Sequence, residues 1–365
     1  MSDVLPLIKL LCNGNSYLIV CKMAYEVTIG IPVYRAVGYI EKTMLSALAQ
    51  TFQSIEFLVI DDGAADGSIE IVERLKLEHP RGSDIRILYN NQNCGVGMTR
   101  NRIMDEAKGF YLFFLDSDDL IEPDTIQTLM EVARSYQACV VYGSMDRIDM
   151  VNDSPVLSFI LPDVYLLSDD EMALYAFRNY SSFMISVCNC LMSLDFLRSN
   201  RLRFIDAVFW EDLAFTYEMV TRVRRAVLLS KVTYHYLCRP GSLSHYKDRE
   251  LLDKSEILEN VSVLNYLKDK TKFLYSKSYL PYYCYNLEMN SFYIVCYILK
   301  YYQRIVPVIS YTEMKKILSH PMDFRKILRF RHKLVQNLFF VVLGCLPTLF
   351  SIYIVKLFGK LKRVI

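Results

Sequence analysis

Phe110-Tyr111-Leu112-Phe113-Phe114-Leu115 runs straight into Asp116-Ser117-Asp118-Asp119. The first six residues are apolar on both faces of an extended chain, which makes them a covered strand inside a parallel sheet. Open α/β sheets bind ligands at the carboxyl ends of their strands, and here that end delivers three carboxylates. Acids so close repel one another unless a cation lies between them, and Mg²⁺ or Mn²⁺ prefers such hard oxygen ligands. A solvated acidic turn that caps the next helix at Pro123 accounts for the same residues. Taken alone, the stretch leaves both readings open.

The surrounding chain repeats the strand-then-polar-turn pattern. Strands are predicted at Val27–Val33, Glu56–Ile60, Ile85–Tyr89 and Ala138–Tyr142, and helices at Val37–Ala49, Ser68–Leu77, Gly97–Ala107 and Pro123–Ser135. That alternation means a mostly parallel sheet covered on both faces. Polar signals follow each strand: Pro32-Val33-Tyr34, then Asp61-Asp62-Gly63 with Asp66-Gly67-Ser68, then Asn93-Cys94-Gly95 with Arg100-Asn101. Each could be only a turn, since Asp, Asn and Gly tolerate turn dihedrals. A helix start near Gly97 also offers free N–H groups to a phosphate, and Arg100 adds fixed positive charge. Four turns imitating one ligand site together is the weaker account.

Composition narrows the partners. Lys+Arg 42 against Asp+Glu 40 gives a formal charge of +2, which argues against nucleic acid. Ten cysteines without a repeated Cys-x-x-Cys imply neither a zinc site nor a disulfide framework, and free thiols in a reducing cytoplasm fit them best. Residues 1–22 lack the basic start and single apolar run of a signal peptide. They form an extension to which no role is assigned, with Met23 an alternative natural start.

In this order and spacing the chain resembles the inverting glycosyltransferases of family 2, which have the GT-A fold. The likeness rests on Pro32-Val33-Tyr34, Asp61-Asp62-Gly63, Asn93-x-Gly95 with Arg100-Asn101, Asp116-Ser117-Asp118-Asp119, Trp210-Glu211-Asp212 and Arg239-Pro240-Gly241-Ser242. It departs at Ala64, where the family usually has Ser, and at Arg35, where Asn commonly follows Tyr. The resemblance implies that Pro32, Val33, Tyr34 and Asp61 or Asp62 hold the nucleotide base, with Asn93, Gly95, Arg100 and Ser117 around the nucleotide sugar. It implies that Asp116 faces the ribose, and that Asp118, with Asp116 and Asp119 in support, holds a divalent cation, Mn²⁺ or Mg²⁺. His245, just past the Arg239 loop, is the implied further metal ligand, ahead of His235.

An acceptor hydroxyl is a poor nucleophile, and a positioned carboxylate can take its proton as it attacks. Asp212 and Glu211 begin a helix, where a carboxylate can be merely a cap. The family pattern makes Asp212 the expected base and Glu211 the runner-up. The segment 146–200 is where acceptor specificity is expected, with Tyr175, Phe177 and Tyr180 read first as core packing.

Past Leu251 the chain turns helical, with nine tyrosines between Tyr275 and Tyr302. A basic stretch from Arg325 to Lys333 precedes 22 uncharged residues, Leu334 to Val355, and Lys356, Lys360, Lys362 and Arg363 follow. The run is long enough for a bilayer, which needs ~20 residues. Pro347 interrupts it and both flanks are basic, which favours a hairpin or a helix lying in the cytoplasmic interface.

The sequence therefore predicts an α/β GT-A domain, mostly parallel and Rossmann-like, over 23–250, a helical extension over 251–333, and an apolar, basic tail over 334–365. The expected activity is metal-dependent inverting transfer of a sugar from a nucleotide diphosphate, a UDP-sugar being the commonest family choice. The expected acceptor is a hydroxyl of a growing surface polysaccharide or lipid-linked oligosaccharide at the inner face of the cytoplasmic membrane. The alternatives are transfer to a polyprenyl phosphate, or nucleotide-sugar binding without turnover.

Overall fold

The computed structural model describes residues 8–12, 15–19, 25–149, 154–180, 187–238 and 249–365. After an antiparallel pair, β1 Ile8–Cys12 and β2 Asn15–Ile19, the chain alternates. In order come β3 Val27–Val33, α1 Ile40–Leu48, β4 Ile55–Asp61, α2 Ser68–Glu78, β5 Ile85–Tyr89, α3 Val96–Glu106 and β6 Tyr111–Phe114. The short β7 Leu120–Ile121 leads to α4 Thr125–Tyr136 and the long β8 Val140–Asp149. Then follow β9 Ser154–Phe159, β10 Val164–Leu166, α5 Glu171–Asn179, β11 Cys190–Ser193, α6 Leu194–Ser199, α7 Glu211–Val220 and β12 Ala226–Cys238.

These strands join in one sheet of order β5-β4-β3-β6-β11-β8-β12-β10. The four strands from β5 to β6 are parallel, as are β8 and β12. The antiparallel members β11 and β10 come from the segment 154–193, where no strand was predicted. From β3 the chain steps one way to β4 and β5, then places β6 on the other side of β3. That reversal opens a crevice at the carboxyl ends of β3 and β6.

The parallel strands are apolar because both faces are covered. Ile29, Ile31, Phe57, Val59 and Phe113 have no exposed surface, and burying each such side chain stabilises by about 1.5–3 kcal/mol. Gly30 lets α3 cross β3, since a Cβ there would lie 2.3 Å from Ile103 Cγ2.

Helices take over after β12. They are α8 Lys254–Lys270, α9 Leu280–Lys300, α10 Tyr311–Ile317, α11 Phe324–Ile327, α12 Leu334–Cys345 and α13 Thr348–Leu361, with β13 Leu252–Asp253 paired to β14 Ile305–Val306. Helix α9 is the hub. Its tyrosines pack inward: the Phe177 ring lies 5.0 Å from both Tyr217 and Tyr283. Asn286 Nδ2 donates to the carbonyls of Phe177 and Tyr180, both at 3.0 Å. Core packing is thus the role of Phe177, as expected for the rings of that segment. Below it, Lys268 meets Glu288 at 2.8 Å in the interior and donates further to the Ile317 and Ser319 carbonyls.

The uncharged run is split by Leu346-Pro347 into α12 and α13, and no helix among the described residues is long and apolar enough to cross a membrane. One face of the pair packs on the hub, through Phe340, Leu343, Ile352 and Val355. Asn337 fastens it, donating to the Pro281 carbonyl at 3.0 Å. The other face, with Val335, Leu349, Phe350 and Tyr353, is exposed.

Candidate active site

The crevice is walled by the turns that leave β3, β4, β5 and β6. Pro32 and Val33 are buried at the end of β3, and Tyr34 stands half-exposed beyond them. Arg35, where the resemblance expects Asn, adopts φ +53°, a left-handed conformation that Asn tolerates better than longer side chains. Its guanidinium lies 5.1 Å from the Tyr34 ring centre.

The two acids after β4 do different work. Asp61 Oδ1 accepts only from Gly63 N, at 3.0 Å, and stays partly exposed. Asp62 is buried and accepts from Asn90 Nδ2 at 2.7 Å, Cys94 N at 2.9 Å and Gly95 N at 3.0 Å. It therefore takes up the very N–H groups that looked available to a phosphate. Asn93 closes the same turn, its Oδ1 also accepting from Gly95 N at 3.0 Å. Gly95 at φ +83° is a position that only glycine occupies without strain.

Arg100 points into the protein. It donates to Asp116 Oδ1 at 2.7 Å and to Glu211 Oε1 at 3.0 Å, with its guanidinium between the rings of Phe114 and Phe204. Burial disfavours its charge, but Asp116 leads the acids that hold it above the ordinary range. Expected beside the nucleotide, it is spent instead on joining the end of β6 to the start of α7. Gly97 permits that approach: a Cβ there would sit 3.1 Å from Glu211 Cγ.

Helix α7 begins under strain. Trp210 takes φ +63°, which is costly for a bulky residue and is most often found where a side chain must be aimed. The turn sends Glu211 inward to Arg100 and leaves Asp212 partly exposed. Burial raises the Glu211 carboxyl, against the pull of Arg100. Burial and then the negative charge of Glu211 push Asp212 up to about 8. Asp212 makes no ion pair among the described residues.

The Asp116 turn is braced from behind. Asp119 is buried, accepting from Tyr234 Oη at 2.7 Å and from Leu237 N at 2.9 Å. The same Tyr234 hydroxyl accepts from Asp116 N at 3.3 Å. Burial, then the charges of Asp116 and Asp118, hold the Asp119 carboxyl well above the usual range. Asp118 is partly exposed, and the Ser117 carbonyl accepts from Thr43 Oγ1 at 3.1 Å. Among the described residues no three acids, histidines or cysteines are arranged to hold a metal. His235 pairs with Glu122 at 2.8 Å, while His245 and the Arg239–Ser242 loop lie outside the described residues.

Residues 28–200 match the family model described as glycosyl transferase family 2. This is a family 2 glycosyltransferase domain. Among relatives of the glycosyltransferase, GlyA of Streptococcus pneumoniae serotype 4 is 31% identical over 60% of the chain. The chain spans only 31% of the length of GlyA. The cholesterol galactosyltransferase of Borreliella burgdorferi is 23% identical over 74% of the chain and 76% of its own length. Among solved structures, S. aureus TarS 1-349 in complex with UDP-GlcNAc aligns with TM-score 0.60 and 17% identity, covering 87% of this chain and 90% of that one. At that identity the likeness is one of fold. It is the GT-A arrangement of a curled, parallel-centred sheet followed by C-terminal helices.

Proposed function

We propose that this glycosyltransferase moves a sugar from a nucleotide diphosphate donor, a UDP-sugar, to a hydroxyl of a growing surface polysaccharide or lipid-linked oligosaccharide, with inversion. The observation that carries the reading is Asp212: a carboxyl raised to about 8, partly open, one residue from a Glu211 locked to Arg100. A general base works best when its pKa lies near the operating pH. Asp212 takes the proton of the acceptor hydroxyl as that oxygen bonds to the anomeric carbon. The bond from the anomeric carbon to the diphosphate oxygen breaks on the opposite face, and the nucleoside diphosphate departs with its electron pair. An α-linked donor thus gives a β-linkage, and no enzyme nucleophile is needed.

Arg100 and Glu211 keep Asp116 and Asp212 in fixed relation, so the chain's own part is mainly positioning. The GlcNAc nucleotide in the TarS complex supports uridine as the donor base. Chondroitin synthase of Escherichia coli, 34% identical over 34% of this chain, supports a polysaccharide acceptor.

The donor set also fits a divalent cation. Asp116 and Asp118 are hard oxygen ligands, and the raised carboxyl of Asp119 records an excess of negative charge that a cation would relieve. Asp118, with Asp116, would hold it, and when bound it supplies Lewis-acid stabilisation of the departing diphosphate. Asp119, both of whose oxygens accept hydrogen bonds, serves as the brace. Asp118→Ala is expected to abolish metal-dependent donor binding, measured by calorimetry with UDP and Mn²⁺. Wild-type affinity in that variant removes Asp118 from the metal site.

The exposed face of α12 and α13 is proposed to rest on the inner surface of the cytoplasmic membrane, its basic flanks drawn to anionic lipid. Because the opposite face covers α9, deletion of the tail would strip the hub, so point substitution is the sound test. Leu349→Asp with Phe350→Asp is expected to release the full-length protein from membranes under a high-salt wash that leaves the wild type attached, since salt screens charge but not apolar burial. Equal retention of both proteins contradicts this attachment.

A further inference from the structure

A cavity of about 550 Å³ opens between the 275–281 turn and the 322–332 segment, away from the residues of the catalytic crevice. Lys277, Lys326, Arg329, Arg331 and His332 line its walls, over an apolar floor that includes Met322 and Phe330. No acid lines it. Asp170 meets Lys277 at 2.9 Å and Asp323 meets Lys326 at 3.2 Å, both from outside the cavity. Arg329 and Arg331 make no ion pair among the described residues. Two guanidinium groups and two ammonium groups around one hollow are an excess of positive charge, and the guanidinium fork matches phosphate oxygens in particular.

What adjoins the cavity narrows the ligand. Helix α12 starts at Leu334, directly after His332 and Lys333, and its Val335 side chain is 75% exposed. Leu349 and Phe350 of α13 are 70% and 64% exposed. A free nucleotide or inorganic phosphate would use the cations and leave this apolar surface uncovered. A phosphorylated lipid uses both, with its headgroup among the arginines and the helices in the acyl boundary.

We infer that the cavity is a headgroup site for a lipid bearing a phosphate monoester or diphosphate, held while still in the bilayer. The inference deepens the membrane and lipid-linked acceptor reading above and rests on it. Its geometry also orients the catalytic domain. Lys277 ties the cavity to Asp170 at the start of α5, and Phe177 of α5 packs 5.0 Å from Tyr217 of α7, the helix that begins with Glu211 and Asp212.

Flotation of the full-length protein with vesicles tests the site. Phosphatidylcholine vesicles containing phosphatidic acid, a phosphate monoester, are expected to bind it about tenfold or more tightly than vesicles of matched charge containing phosphatidylserine. Arg329→Gln with Arg331→Gln should reduce phosphatidic acid binding about tenfold or more. The calorimetric response to UDP and Mn²⁺ should be unchanged in that variant, which separates this inference from the donor-site reading. Equal binding of the two vesicle types, or a double variant that floats like the wild type, overturns the headgroup site. So does calorimetric binding of inorganic pyrophosphate, lost in the double variant, by a protein that floats with neither vesicle type, since it assigns the cavity to a soluble phosphate.

Discussion

Asp212→Asn is expected to leave donor binding intact and to lower sugar transfer by at least ~10²-fold, the usual contribution of a positioned general base. The substitution keeps the size of the side chain and removes only its capacity to take a proton. Because burial and Glu211 push the Asp212 carboxyl up to about 8, and because only the deprotonated form is a base, the wild-type rate should rise with pH until about 8 and then level. The residual activity of the Asn variant should lack that rise. Steady-state rates across pH, with donor affinity measured separately, check both statements. A normal rate in Asp212→Asn together with a dead Glu211→Gln would exchange the two roles.

The second large effect is structural. Arg100→Ala leaves two carboxylates, Asp116 and Glu211, facing a buried hole where a guanidinium had held both. Removing one member of a buried ion pair costs about 3–5 kcal/mol, most of it the charge left without compensation. Thermal unfolding should therefore fall by an amount on the order of 5–10 °C. Arg100→Lys should rescue little, since one ammonium cannot reproduce two forked hydrogen bonds to acids on different elements. Melting temperatures and turnover measured together check this. A stable, active Arg100→Ala would mean that the link between β6 and α7 is incidental.

How much of this was legible in the sequence depended on range. The parallel strands carry their own signal, because a run such as Phe110–Leu115 or Val27–Val33 is apolar on both faces only when both faces are covered. Turn acids were legible as a set at the strand ends, but not the division of labour between them. Asp61 and Asp62 are neighbours of identical chemistry, and only the fold shows that one closes a local turn while the other holds the Cys94–Gly95 backbone. Tyr234, which braces both Asp116 and Asp119, lies more than a hundred residues away on a strand with no motif. Asn90 was missed for the same reason, as a single polar residue at a strand end. The inward course of Arg100 follows from contacts with Phe204 and Glu211, which no local pattern encodes. The tail was legible as apolar and interrupted at Pro347. Which of its faces would meet α9 was not, because nearly every position is apolar and the periodicity carries little contrast.

The most direct measurement is a thermal-shift panel of UDP, GDP, ADP and CDP on the full-length protein, each with and without Mn²⁺. A ligand that binds only the folded state raises its stability by about 2.7 kcal/mol at a hundred times its Kd. The account predicts that UDP raises the melting temperature, that it does so only with Mn²⁺, and that Asp118→Ala loses the response. No shift with any of the four nucleotides, or the same shift with and without the metal in both proteins, would contradict it.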